Sequence, residues 1–251
     1  HITLSADEQG KKAAVKKGLK HVEAPLIAFT DADCSVPATW LSSYAAIADR
    51  HKTGLFFGPV QYNTQNWLQK LFDLELLSLV GSGLGLAQQN HPVYMNGANY
   101  AITADLLKAY DLQAGQTFAS GDDVFLLHAV KNHFGKTCIK PAISKNITVE
   151  TAAPKNLRQF FRQRIRWGSK ASGYKDTEAL ILAMSVFGIA FIQVLSFLMI
   201  KYIAAFLILW IGKILIDMIA LLIYKRQKKE HLSMLFFPLA ILYPVYVIIT
   251  A

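Results

Sequence analysis

Residues 24–34 read APLIAFTDADC, a short apolar run that ends on two aspartates, Asp31 and Asp33. A run this brief, with Pro25 at one side and acids at the other, predicts a buried strand instead of a helix. Ahead of it, residues 10–21 read GKKAAVKKGLKH and predict a helix with Ala13, Val15 and Leu19 as its apolar positions. Helix followed by buried strand is the alternation of an α/β fold with a mostly parallel sheet. Ligands of such sheets bind beyond the carboxyl ends of the strands, which is where Asp31 and Asp33 lie.

Outward from that strand, residues 37–50 predict a helix and residues 55–61 a second strand. Residues 67–86 predict a long apolar-rich helix carrying Asp73 and Glu75 near its middle, with Gly81, Gly83 and Gly85 loosening its end. The GSGLG run there is no nucleotide loop, because it follows a helix and lacks the GxGxxG spacing. Residues 94–102 predict a loop entering a strand, 104–110 a short helix, 122–134 a helix with acids in its first turn, and 137–148 a strand region. Residues 156–174 predict a basic amphipathic helix.

Hydrophobic residues make up 53% of the 251, above the roughly 45–50% of soluble domains. The excess sits at the carboxyl end. Residues 179–200 contain no charge and match the ~20 apolar residues that span a bilayer. Residues 202–224 are interrupted only by Lys213 and Asp217, which are spaced to pair with each other, and residues 234–250 form a shorter run with Pro238 and Pro244. The predicted organisation is an α/β domain over residues 1–154, an interfacial helix over 155–178, and three membrane helices over 179–251, at about 179–200, 202–224 and 234–250. Lys170 and Lys175 precede the first run and Lys225, Arg226, Lys228 and Lys229 follow the second, so the positive-inside rule puts both flanks in the cytoplasm and leaves Lys201 at the outer turn. This predicts a multi-pass protein of the cell (inner) membrane with its α/β domain in the cytoplasm. The net charge of +9 then belongs to membrane flanks and phosphate binding, and no aromatic-basic motif points to nucleic acid. Two cysteines far apart in sequence, Cys34 and Cys138, fit a reducing compartment.

Three groups of residues carry chemistry. Asp31 and Asp33 are two carboxylates at a strand end, able to hold a hard divalent cation, Mg²⁺ or Mn²⁺, against a nucleotide diphosphate; turn-capping aspartates are the plainer alternative. Asp122 and Asp123, about ninety residues later, supply a base for a hydroxyl nucleophile or, alternatively, cap the helix they open. Residues 163–167, QRIRW, place Gln163, Arg164, Arg166 and Trp167 together, with guanidinium groups for a diphosphate and an indole for a sugar or acceptor. A basic juxtamembrane helix with an interfacial Trp remains the alternative there.

Taken in order, TDADC at residues 30–34, SGDD at 120–123 and QRIRW at 163–167, with carboxyl-terminal apolar helices after them, resemble the membrane-bound family 2 glycosyltransferases, in the branch containing cellulose, chitin, hyaluronan and poly-N-acetylglucosamine synthases. The resemblance covers nearly the whole chain and implies the GT-A fold. It implies that Asp31 and Asp33 bind nucleotide and metal, that Asp123 is the general base with Asp122 beside it, and that Gln163, Arg164, Arg166 and Trp167 serve the diphosphate and acceptor. MNGANYAI at residues 95–102 resembles a further loop of this branch, bringing Asn96, Gly97 and Asn99 to the acceptor side, and Lys11 and Lys12 resemble a donor-side segment. The family begins with a strand and an aspartate that grip the nucleotide base and ribose; these are expected to precede His1, so the catalytic domain is expected to be incomplete at its amino end. The expected enzyme is an inverting hexosyl- or N-acetylhexosaminyltransferase of polysaccharide biosynthesis, moving a sugar from a UDP-linked donor to a glycan or lipid-linked acceptor. One base and no third carboxylate for a covalent intermediate imply a single in-line displacement. The alternative is an inactive membrane scaffold or receptor on the same fold.

Overall fold

The computed structural model describes residues 10–52, 54–108, 122–169, 173–199, 203–228 and 234–250. Helix α1 (Gly10–Leu19) precedes β1 (Leu26–Phe29), and the aspartates lead into a short β2 (Cys34–Ser35). Then come α2 (Trp40–His51), β3 (Leu55–Phe57), β4 (Val60–Asn63), α3 (Trp67–Gln88), β5 (Tyr100–Thr103), α4 (Ala104–Lys108), α5 (Asp122–Phe134), β6 (Ile139–Pro141) and β7 (Val149–Ala152). Helix α6 (Leu157–Gly168) precedes the apolar helices α7 (Thr177–Ser196), α8 (Ile203–Lys228) and α9 (Phe236–Thr250).

The main sheet has the order β1-β5-β3-β6. β5 is antiparallel to both neighbours while β3 and β6 are parallel, so β1, β3 and β6 all run one way and β5 is the reversed strand. Both faces of β3 are covered. Leu55 and Phe57 pack with Phe72, Leu76, Ile102 and Leu127, and Phe56 packs on the other side with Trp40, Tyr44 and Val149. That alternation explains why the strand reads as a continuous apolar run.

The single strand expected over residues 55–61 is two strands in two sheets, since β4 joins β2 and β7 in the order β2-β7-β4. Gly58 and Pro59 make the break: Pro59 has no N–H to donate, and a Cβ on Gly58 would sit 2.7 Å from Asn99 Nδ2. The glycines of α3 do not loosen it, for the helix continues to Gln88. Gly83 is there because a Cβ would come 2.6 Å from the Tyr94 ring. Helices α3 and α6 start alike. Asn66 Oδ1 accepts from Gln69 N–H at 3.0 Å while Gln69 Oε1 accepts from Gln65 N–H, and Asn156 and Gln159 repeat the exchange with Lys155. α6 ends at Gly168 instead of continuing to residue 174, and the region expected as strand over 137–148 holds only β6.

Among the described residues, three helices are long and apolar enough to cross a membrane: α3, α7 and residues Ile203–Ile223 of α8. α3 is half-buried in the core, whereas α7 and α8 expose apolar faces, with Met184 75% and Ile208 74% exposed. α9, the third expected span, is an apolar helix over 15 described residues. It packs against the catalytic domain: Leu74 of α3 clusters with Leu221, Phe236 and Ala240, and the close approach of α6 to the Thr250 carbonyl leaves no room for a Cβ at Gly168. Lys213 donates to Asp217 within α8, as their spacing predicted, and lies 5.4 Å from the Tyr243 ring.

Candidate active site

The register of the main sheet brings the acidic motifs to one edge. Phe29, near the carboxyl end of β1, pairs with Tyr100 at the start of β5, and their rings stack at 4.5 Å. Asp31 therefore leaves the sheet beside the point where the loop of residues 94–99 enters it. Asp31 is half-buried and Asp33 exposed, in a turn closed by the Cys34 N–H on the Asp31 carbonyl at 3.1 Å. Burial, and then the Asp33 and Asp31 carboxylates beside it, push the Cys34 thiol up, so it stays neutral. Among the described residues no three His, Cys, Asp or Glu side chains cluster as a metal cage. Two exposed-edge carboxylates fit the other arrangement, a hard cation held by one or two carboxylates with substrate phosphates completing the shell.

Asp123 opens α5 and reaches back to that loop. Its Oδ2 accepts the Gly97 N–H at 2.7 Å and its Oδ1 the Val124 N–H at 3.0 Å. A Cβ at Gly97 would lie 2.8 Å from Asp123 Oδ2, so the close approach requires glycine. Asn96 Oδ1 accepts from Ala98 N–H at 3.0 Å and shapes the turn. Asn99 departs from the expectation of an acceptor contact. It is wholly buried; its amide donates to the Pro59 and Ile147 carbonyls at 2.7 and 2.8 Å, and its oxygen accepts from Trp40 Nε1 at 2.9 Å and Tyr44 Oη at 2.8 Å. Every bond of that side chain is used inside the protein, so Asn99 ties the loop to α2 and to the β3–β4 break.

The QRIRW segment faces two ways. Arg164, 3% exposed, does not reach out for a diphosphate: it pairs with the buried Glu75 of α3, donating from Nε to Oε2 at 2.9 Å. Its guanidinium lies between two rings, 4.7 Å from Phe160 and 4.3 Å from Trp167. Gln163 Oε1 accepts from Arg164 and from Tyr62 Oη, both at 2.8 Å, and Tyr246 of α9 donates to Glu75 at 2.6 Å. Arg166 is exposed and Trp167 half-buried against the core. Tyr94 feels the charges of both this network and Asp123. Its hydroxyl is buried with no hydrogen-bond partner, and burial, with the Asp123 carboxylate next, pushes the phenol well up. Lys11 and Lys12 lie on α1 and Asp122 in the first turn of α5, with side chains outside the described residues. A groove of about 400 Å³ begins two residues past Asp33, lined by Ser35, Gln61, Lys145 and Glu150.

Glu75 and Tyr94 were not singled out from sequence. Glu75 carried a signal, as the last charged residue before the apolar carboxyl half of α3: a carboxylate there needs a buried cation. Tyr94 carried none.

A family model described as Glycosyltransferase like family 2 matches residues 1–169. No curated protein matches the chain. Similar solved structures include glucosyl-3-phosphoglycerate synthase from Mycobacterium tuberculosis in complex with phosphoglyceric acid, at 18% identity and TM-score 0.41 over 70% of this chain and 59% of that one. The same enzyme with Mn²⁺, uridine-diphosphate-glucose and glycerol 3-phosphate aligns at 18% identity and TM-score 0.38, over 67% and 57%. A mycobacterial protein aligns at 18% identity and TM-score 0.40, over 70% and 55%. The chain thus spans less than two thirds of the length of these structures.

Proposed function

The chain belongs to the glycosyltransferase-like family 2, and we propose that it is an inverting, membrane-attached enzyme that moves a sugar from a UDP-linked donor to a hydroxyl of a glycan or lipid-linked acceptor. Its α/β catalytic domain is the GT-A fold of that family. The observation that carries the reading is the convergence at one sheet edge of Asp31 and Asp33, after β1, with Asp123, held by Gly97 ahead of β5.

Asp31 and Asp33 would hold Mg²⁺ or Mn²⁺, which when bound neutralises charge on the departing diphosphate. Asp123 takes the proton of the acceptor hydroxyl as its oxygen bonds to the anomeric carbon, and the bond from that carbon to the diphosphate oxygen breaks on the opposite face. Configuration inverts, and the nucleotide diphosphate leaves with the electron pair. The two backbone N–H groups on Asp123 fix its carboxylate in the loop's frame. Trp167, stacked on Arg164, supplies an apolar face for a sugar, and exposed Arg166 a charge for phosphate. Arg164 acts through Trp167. The basic flanks at Lys175 and at Lys225, Arg226 and Lys228 favour a cytoplasmic catalytic domain in a cell membrane.

Nucleotide titration by calorimetry tests the donor site. Asp33→Ala should weaken UDP binding and remove its enhancement by added Mn²⁺, because an oxygen ligand is lost. An undiminished Mn²⁺ response in Asp33→Ala would take the metal away from this turn.

A further inference from the structure

The helix that carries Asp123 is fastened along one face to the segment that leads into the first apolar helix. Phe125, His128 and Lys131 stand at three-residue steps on α5. Tyr174 sets its ring edge-on to Phe125 and His128, at 5.8 and 5.3 Å. Lys131, its side chain 6% exposed, places Nζ 2.7 Å from Asp176 Oδ2 and 2.7 Å from Glu178 Oε2. Asp176 also caps α7, accepting the Ala179 N–H at 2.9 Å. Glu178 further takes His91 Nδ1 at 2.8 Å and pairs with Lys136. α5 is also held by the chain leading through the active-site loop, through His128 Nε2 and the Val93 carbonyl at 3.0 Å and through Gly97 on Asp123.

Building on the reading of Asp123 as the base, we propose that residues 174–178 form a strap that sets the tilt of α5 and so positions the Asp123 carboxylate, with Lys131 as its key positioning residue. A buried ammonium between two carboxylates is a costly arrangement to keep for attachment alone, since well-packed apolar side chains serve that purpose at least as well. Lys131 lies eight residues from Asp123, roughly 12 Å along the helix axis. A tilt of about 5° over that lever shifts the carboxylate by about 1 Å, a misplacement that costs on the order of 100-fold in rate. Donor binding depends on Asp31 and Asp33 beyond β1, which the strap does not touch, so the strap separates turnover from donor affinity. Membrane attachment through α7 is thereby coupled to the geometry of the base.

The experiment uses the full-length enzyme in native membranes, with activity normalised to folded protein by detergent-extracted thermal melting. Lys131→Met and Asp176→Asn are compared with Lys131→Arg; the asparagine keeps the helix cap and removes only the charge. The expected result is a 10- to 100-fold fall in kcat for the first two with donor KM within about twofold, and recovery of most of the rate in Lys131→Arg. Folded Lys131→Met and Asp176→Asn enzymes with wild-type kcat would overturn the proposal and leave the strap a structural attachment. An Asp123→Asn enzyme that keeps full activity in the same membranes would instead remove the base assignment on which it rests, so the two failures are distinguishable.

Discussion

Replacing Asp123 by asparagine is expected to lower sugar transfer by roughly 10²–10⁴-fold while leaving nucleotide affinity unchanged. The amide keeps the size of the carboxylate and its oxygen still accepts the Gly97 N–H, but it takes no proton from an acceptor hydroxyl. Asp123 stands on α5 and is not one of the two carboxylates of the Asp31 and Asp33 turn, so the proposed cation ligands are unchanged. Single-turnover transfer assays beside calorimetric UDP titration separate the two effects. Equal transfer by Asp123→Asn and wild-type enzyme would exclude Asp123 as the base.

Glu75→Gln is expected to cost about 3–5 kcal/mol of stability, a large share of the roughly 5–15 kcal/mol that holds a domain together. The substitution strands the Arg164 guanidinium, 3% exposed, without a counter-charge and weakens the bond from Tyr246 that ties α9 to the catalytic domain. The double variant Glu75→Met with Arg164→Met should recover most of that loss, since apolar side chains of similar volume replace a buried ion pair well. It should not recover activity, because Trp167 then loses the cation against which its ring is set. Thermal melting in detergent, with Trp167 fluorescence as the local probe, checks both halves.

β1 and its acids were legible because an apolar run ending on carboxylates has few other readings, and the helix over residues 122–134 was legible from its acidic first turn. The division of residues 55–61 between β3 and β4 was not. It depends on Asn99, some forty residues away, filling the space where a Cβ of Gly58 would go. Likewise Gly83 of α3 reads as a breaker until Tyr94 is seen packed on it. Local composition registers a glycine's conformational freedom but not the neighbour that needs its missing side chain. The site divides the same way. Asp31, Asp33 and Asp123 come to one end of the sheet, where the strand and helix pattern put them, whereas Arg164 and Asn99 have their polar groups turned inward. Nothing in the spacing of QRIRW distinguishes the inward Arg164 from the exposed Arg166; the buried Glu75 on α3 decides it.

The most direct test of glycosyl transfer is incorporation of label when membranes containing the full-length enzyme are incubated with a panel of radiolabelled nucleotide sugars, with and without Mn²⁺. One UDP-linked donor should give a metal-dependent product whose new linkage has the anomeric configuration opposite to the donor's, and Asp123→Asn membranes should give almost none. No incorporation from any donor by an enzyme that still binds UDP would contradict transfer and favour a scaffold built on the same fold.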